Sequence, residues 1–143
     1  MTENPRPRPI AELSAAIITY NEAERIGDCL DSLSPVCSEI LVLDSNSTDR
    51  TREICEAYPN VRFVQHAFQG YAKQKNHALE LTRTEWVLCL DADELLSPKA
   101  TEEIRRFLNG AIPDRVVGAR LIRRTYHMGA FIGHGGWTHY RYR

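Results

Sequence analysis

Four short apolar runs, each followed by apolar residues at helical spacing, set the rhythm of this chain. Ala15 to Thr19 is compact and β-branched and predicts a buried first strand. After Tyr20-Asn21-Glu22, residues Ile26, Leu30 and Leu33 recur at helical spacing. Glu39 to Leu43 predicts a second strand, closed by the polar cluster Asp44 to Asp49. That cluster reads as a turn into a helix, with Ser47 or Thr48 as N-cap and Ile54 and Ala57 facing inward, stopped by Tyr58-Pro59-Asn60. Val61 to Gln65 predicts a third strand. Gly70 then precedes a helix whose apolar face is Ala72, Ala78, Leu79 and Leu81. Trp86 to Leu90 is the fourth strand, and its unbroken run from Val87 suits burial on both faces. Ser97-Pro98 opens a last helix, with Ala100, Ile104, Phe107 and Leu108 on one side and Asn109-Gly110 as its stop.

Strands separated by helices imply right-handed crossovers: an α/β fold with a mostly parallel central sheet and helices on both faces. Beyond Pro113 the pattern changes. Val116 to Tyr126 reads as a longer strand with basic side chains, and Gly129 to Trp137 as a glycine-rich loop. Residues 1–13, which include Pro-Arg-Pro-Arg-Pro, are expected to form a disordered arm without a signal peptide, and residues 14–143 a single domain. The last residues, Tyr140-Arg141-Tyr142-Arg143, follow no terminating helix or polar tail, so a truncated piece of a longer domain is expected.

Composition narrows the class. A chain of 143 residues, 43% apolar and 26% charged, fits one ordinary globular domain. No apolar run approaches the ~20 residues that a membrane helix needs. Net charge is −1, yet no carboxylate follows Asp114 whereas Arg115, Arg120, Arg123, Arg124, Arg141 and Arg143 do. That run is either a solvated strand face or a surface for phosphates or an anionic membrane. Nucleic acid is not an expected partner, because the basic residues do not alternate with a stacking platform and the body of the chain is acidic. Cys29, Cys37, Cys55 and Cys89 form no Cys-x-x-Cys pair and are expected to be reduced thiols in the cytoplasm.

The candidate chemistry lies at the strand ends. Tyr20-Asn21-Glu22, Asp44 to Asp49 and Asp91 to Glu94 each follow a predicted strand. If those strands are parallel neighbours, the three clusters share one edge of the sheet, where ligands of open α/β folds gather. In extended chain Asp91 and Asp93 point the same way and can jointly hold a hard cation such as Mg²⁺ or Mn²⁺ through oxygen. For an isolated Asp-x-Asp an acidic turn is the commoner explanation. Neither Gly-x-Gly-x-x-Gly after the first strand nor Gly-x-x-x-x-Gly-Lys-Ser/Thr anywhere is present, which weakens dinucleotide and P-loop readings and leaves a metal to neutralise a diphosphate.

Four segments in order, Ala16 to Glu22, Leu43 to Thr51, Gly70 to Asn76 and Leu90 to Glu94, resemble family 2 glycosyltransferases of the GT-A fold. Asp44-Ser45 in place of the commoner Asp-Asp, with Gly133 to Trp137, resembles the lipopolysaccharide inner-core branch. The resemblance implies a nucleotide-sugar donor bound by Thr19, Tyr20, Asn21, Glu22, Asp44, Lys75 and Asp91. Asp44 would accept a hydrogen bond from the base, and Lys75 would lie near the diphosphate. It also implies a divalent ion held by Asp93, as the direct ligand, with Asp91. Transfer would invert the sugar, and the acceptor would be a glycan or lipid-linked core at the inner face of the membrane, contacted peripherally. An acidic general base is expected beyond Arg143, because the remaining candidates His127, His134 and His139 are lone histidines. Rival readings are a non-catalytic nucleotide-binding module and an anionic-surface binder that uses the basic tail.

Overall fold

The computed structural model describes residues 11–132 and 140–142. They fall into two compact units, one ending at Ala111 and one beginning at Ile112. Most of the expected arm and the whole Gly133–Trp137 segment lie outside the described residues.

In the first unit, β1 (Leu13–Thr19), β2 (Glu39–Asp44), β3 (Val61–Gln65) and β4 (Trp86–Asp91) form one sheet in the order β3-β2-β1-β4, with every neighbouring pair parallel. Helices α1 (Ile26–Leu33), α2 (Thr51–Glu56) and α3 (Tyr71–Leu81) connect them, and α4 (Pro98–Asn109) follows. From β1 to β3 the chain steps one way across the sheet; from β3 it returns past β2 and β1 to reach β4. With right-handed crossovers, that reversal puts α1 and α2 on one face and α3 on the other. The order reverses between β1 and β4.

Alternation sorts the core into two layers. Ala16, Leu41 and Leu43 form a cluster with Ala78 of α3, flanked by Ile18, Val64, Leu81, Val87 and Cys89. Ile17, Ile40 and Val42 point the opposite way and are fully buried, as are Ile26, Cys29, Leu30 and Leu33 along one stripe of α1. Burying a Leu or Ile side chain is worth about 1.5–3 kcal/mol, so these two layers dominate the stability of the unit.

Several expectations change in detail. β1 begins at Leu13, earlier than the expected Ala15, because Ser14 is drawn into the ladder and its amide donates to Thr84 Oγ1 at 3.0 Å. β4 is not buried on both faces: Leu88 and Leu90 are covered, but Val87 and Cys89 are half-buried because β4 is an edge strand among the described residues. Neither Ser47 nor Thr48 caps α2, which starts only at Thr51 with no side-chain cap at Arg50. Its inward residues are Thr51 and Cys55, while Ala57 is exposed. On α3 the buried positions are Gln74 and Ala78, and Ala72 and Leu79 are exposed. Ser97 does cap α4, its hydroxyl accepting from the Ala100 amide at 3.1 Å. Of the apolar side expected for α4, only Leu108 is buried; Phe107 meets Trp86 edge-on at 5.1 Å.

The second unit holds two short antiparallel ribbons, β5 (Arg120–Ile122) with β8 (Tyr140–Tyr142), and β6 (Thr125–His127) with β7 (Ala130–Ile132). The long strand expected over Val116 to Tyr126 is thus two short ones, and the expected loop begins with a hairpin. Met128 and Gly129, with φ of 49° and 85°, supply the left-handed pair that a two-residue hairpin turn requires. No described helix is long and apolar enough to cross a membrane.

Candidate functional site

The three polar clusters do share one edge. Strand register aligns Thr19 with Asp44 and Asp44 with Gln65, and Ile18 with Asp91. Thr19 and Asp91 therefore flank the point where the strand order reverses, the place where open α/β sheets bind ligands.

Asn21 and Asp49 knit the first two strand-end loops together, and Asp44 shapes the second. Asp44 is fully buried; its carboxylate accepts from the Ser47 amide at 2.8 Å, from the Ser47 hydroxyl, and from Gln65 Nε2 at 3.4 Å. In this conformation it shapes the loop, its oxygens taken up by Ser47 and Gln65. Asn21 adopts φ of 52°, a conformation asparagine tolerates better than most residues. Its side-chain carbonyl accepts from the Thr48 amide at 2.8 Å, while its own amide donates to Ser47 Oγ at 2.8 Å. Glu22 N donates to Thr51 Oγ1 at 2.9 Å, and Ala23 N to Asp49 Oδ2 at 3.0 Å. The Thr51 hydroxyl and amide both donate to Asp49 Oδ1, at 2.6 and 3.0 Å, and hold that carboxyl below its ordinary value. From sequence, Ser47 is an N-cap candidate, Asp49 part of the turn, and Thr51 only the end of a resembling segment. The crowding of Ser, Asn, Thr and Asp between Asp44 and Thr51 signals side-chain hydrogen bonding, but not that the partners lie on another loop.

Tyr20 is exposed, and Glu22 is half-buried within 4.0 Å of Arg25. Thr19 Oγ1 is buried and has no hydrogen-bond partner among the described residues, an unsatisfied hydroxyl at the end of β1.

Lys75 and Asp91 come together from different elements. Lys75 Nζ donates to Asp91 Oδ1 at 2.7 Å, an ion pair with both side chains about two-fifths exposed, 42% and 38%. At such exposure the pair adds little to stability and is open to exchange for another charged group. Asp91 to Glu94 is not extended: Glu94 N donates to Asp91 O at 2.9 Å and Asp91 N to Glu94 Oε2 at 3.0 Å, closing a turn. The shared-face argument for Asp91 and Asp93 fails for that reason. The turn instead buries Ala92 and leaves the Asp93 carboxylate exposed just past the strand. No group of three or more His, Cys, Asp or Glu side chains among the described residues is arranged to hold a metal ion. Two carboxylates with hard oxygen donors nevertheless fit Mg²⁺ or Mn²⁺, since Mg²⁺ usually takes one or two protein carboxylates and completes its shell with water and substrate phosphate.

Of the four thiols, Cys29, Cys37 and Cys55 are buried and Cys89 is half-buried. Burial pushes Cys29 up to about 12, reinforced by Glu94 and Asp93. Such a thiol stays protonated and is no candidate nucleophile. His127 is exposed in β6, in the other unit, and His134 and His139 lie outside the described residues.

Residues 14–129 match the family model for glycosyl transferase family 2. The lipopolysaccharide core biosynthesis glycosyltransferase LpsC of Rhizobium meliloti (strain 1021) is 39% identical over 125 residues, covering 85% of this chain and 45% of that protein. Among solved structures, S. aureus TarS 1-349 superposes with a TM-score of 0.61 at 29% identity, over 68% of this chain and 32% of that one. Glucosyl-3-phosphoglycerate synthase from Mycobacterium tuberculosis, in complex with Mn²⁺, uridine diphosphate and glucosyl-3-phosphoglycerate, superposes with a TM-score of 0.51 at 26% identity, over 57% of this chain and 33% of that one. The chain spans less than half the length of the curated relatives it matches.

Proposed function

Because the chain belongs to glycosyl transferase family 2, with the GT-A type of parallel sheet, we propose that it binds the donor in transfer of a sugar from a nucleoside-diphosphate sugar to a glycan or lipopolysaccharide-core acceptor. The observation that carries this reading is the meeting of Lys75 and Asp91 at the reversal point of the sheet, beside the interlocked ends of β1 and β2. Thr19, Tyr20, Asn21 and Glu22 border the nucleoside, and Asp44 acts on it through the loop that it holds. Lys75 offers its ammonium to the diphosphate, releasing Asp91 to the sugar or ribose side. Asp93, with Asp91, holds the divalent ion. When bound, Mg²⁺ or Mn²⁺ supplies Lewis-acid stabilisation of the negative charge that develops on the leaving nucleoside diphosphate. In the inverting reaction the acceptor hydroxyl bonds to the anomeric carbon as the bond from that carbon to the diphosphate oxygen breaks, on opposite faces of the sugar, and the hydroxyl proton passes to an acidic general base that is not among the donor-binding residues. The chain's own share is orientation and charge: hydrogen-bonded loops, a partly exposed cation on Lys75 and an exposed carboxylate on Asp93.

Titration calorimetry of uridine diphosphate, with and without Mn²⁺, on the wild type and on Asp93→Ala tests this. Binding is expected to need Mn²⁺ and to weaken in Asp93→Ala by more than the roughly 10–100-fold that disturbing a metal site's outer shell costs. Thermal stability should not change, because Asp93 is exposed. Binding that ignores both Mn²⁺ and Asp93→Ala removes the metal from the mechanism; no binding at all removes the donor site.

A further inference from the structure

Gln74 is the one amide side chain among the described residues that is almost completely buried, 1% exposed, and it reaches two strand ends at once. Its Nε2 donates to Ser45 Oγ at 3.2 Å and to the His66 carbonyl at 3.3 Å, and its Oε1 faces His66 Nδ1 at 3.1 Å. The His66 carbonyl decides which way round the amide sits, because a flipped amide would set acceptor against acceptor there. Oε1 must then accept from an Nδ1–H of His66, and Nε2 must donate to Ser45. The strand ends are fixed as well: Ser45 N donates to Thr19 O at 2.9 Å, and His66 N to Asp44 O at 2.9 Å.

This arrangement settles the polarity of Ser45. Its oxygen receives the Gln74 proton, and among the described residues its own O–H has no acceptor. Ser45 is half-buried where β2 ends and, alternating from Leu43, lies on the α3 face of the sheet, as does Asp91, which pairs with Ile18. The consecutive residues Gln74 and Lys75 thus serve two positions on the same face, at the ends of β2 and β4 with β1 between them, one holding a hydroxyl and the other a carboxylate. We propose that Gln74 is a positioning residue that makes Ser45 a hydrogen-bond donor to an acceptor atom, a carbonyl or ring oxygen, on the nucleoside of the donor. This rests on the donor-binding reading and sharpens its specificity, since a carboxylate at position 45 would select a donor group on the ligand instead.

The test measures uridine diphosphate and inorganic pyrophosphate, each with Mn²⁺, against the wild type, Ser45→Ala, Gln74→Met and the double variant. Loss of one neutral hydrogen bond predicts about 3- to 10-fold weaker uridine diphosphate binding in Ser45→Ala. Pyrophosphate binding should be unchanged, because it lacks the nucleoside. Gln74→Met should weaken uridine diphosphate similarly, and the double variant should be no weaker than Ser45→Ala alone. Equal losses for both probes, independent losses that multiply in the double variant, or no loss in Ser45→Ala each overturn the proposal while leaving the donor site standing. Should Gln74→Met not fold, the two-probe comparison in Ser45→Ala still decides. A wild type that binds neither probe defeats the donor-binding reading along with it.

Discussion

The two units of this protein obey different rules of burial. Ile40 to Leu43 of the sheet unit have no exposed surface, and Asp44 joins them, whereas no described residue from 112 to 132 is buried, with Val117 94% and Met128 91% exposed. Parallel strands covered by helices bury both faces, so their apolar runs are continuous and each residue counts. Two-stranded ribbons of three residues per strand have two faces and nothing in the ribbon itself to cover them. Within the ribbons contact is local: Tyr126 meets Phe131 edge-on at 5.1 Å, and the Arg124 guanidinium lies over the Phe131 ring at 4.5 Å. Stability in the first unit is a property of packed layers, and in the second of pairs.

The sharpest way to break this contrast is to truncate the layer. Leu41→Ala should cost about 2–5 kcal/mol, read as a lower denaturation midpoint, since a fully buried leucine leaves a cavity between sheet and α3. High pH should probe the same layers through their thiols. Burial raises Cys29, Cys37 and Cys55 from 9.0 to about 12. A thiol harder to ionise when folded adds stability that is intact below 9.0 and fades as pH climbs toward about 12. Denaturation midpoints should fall through that window, and Cys37→Ala should flatten the fall. Ser97→Ala, which removes the α4 cap, should cost about 1 kcal/mol by the same measurement. Val117→Ser should stay within about 0.5 kcal/mol. A loss comparable to that of Leu41→Ala would show that the second unit has a buried layer after all.

Four strands and four helices were legible in the chain because buried parallel strands and their crossover helices impose distinct periods. Val61–Gln65 and the Ser97 cap agree residue by residue. Where local chemistry depends on partners distant in sequence, structure and sequence pattern part. Ser47 has the composition of an N-cap, yet its hydroxyl turns back to Asp44 and its Oγ also receives Asn21 N from another loop. Gln74 is a polar residue in a helix of weak apolar face, which reads as solvated, and only Ser45 and His66 converging on it explain its burial. The Asp91–Asp93 spacing suggests extended chain, but the Glu94 carboxylate caps the Asp91 amide in a turn. Beyond Pro113 the alternation of basic and apolar residues read as one strand, although hairpin chemistry at Met128-Gly129 was present to be noticed.

The order of apolar runs by itself determined the parallel α/β architecture, and four spaced motifs determined the family, because hydrophobic periodicity and backbone chemistry are carried in cis along the chain. Tertiary structure alone decided which side chains at the sheet edge are occupied and which are available. Asp44 is enclosed, Lys75 sits on Asp91, Asp93 is open, and Gln74 fixes Ser45. Those states depend on hydrogen-bond partners that lie between 3 and 29 residues away and arrive only when neighbouring strands close into register.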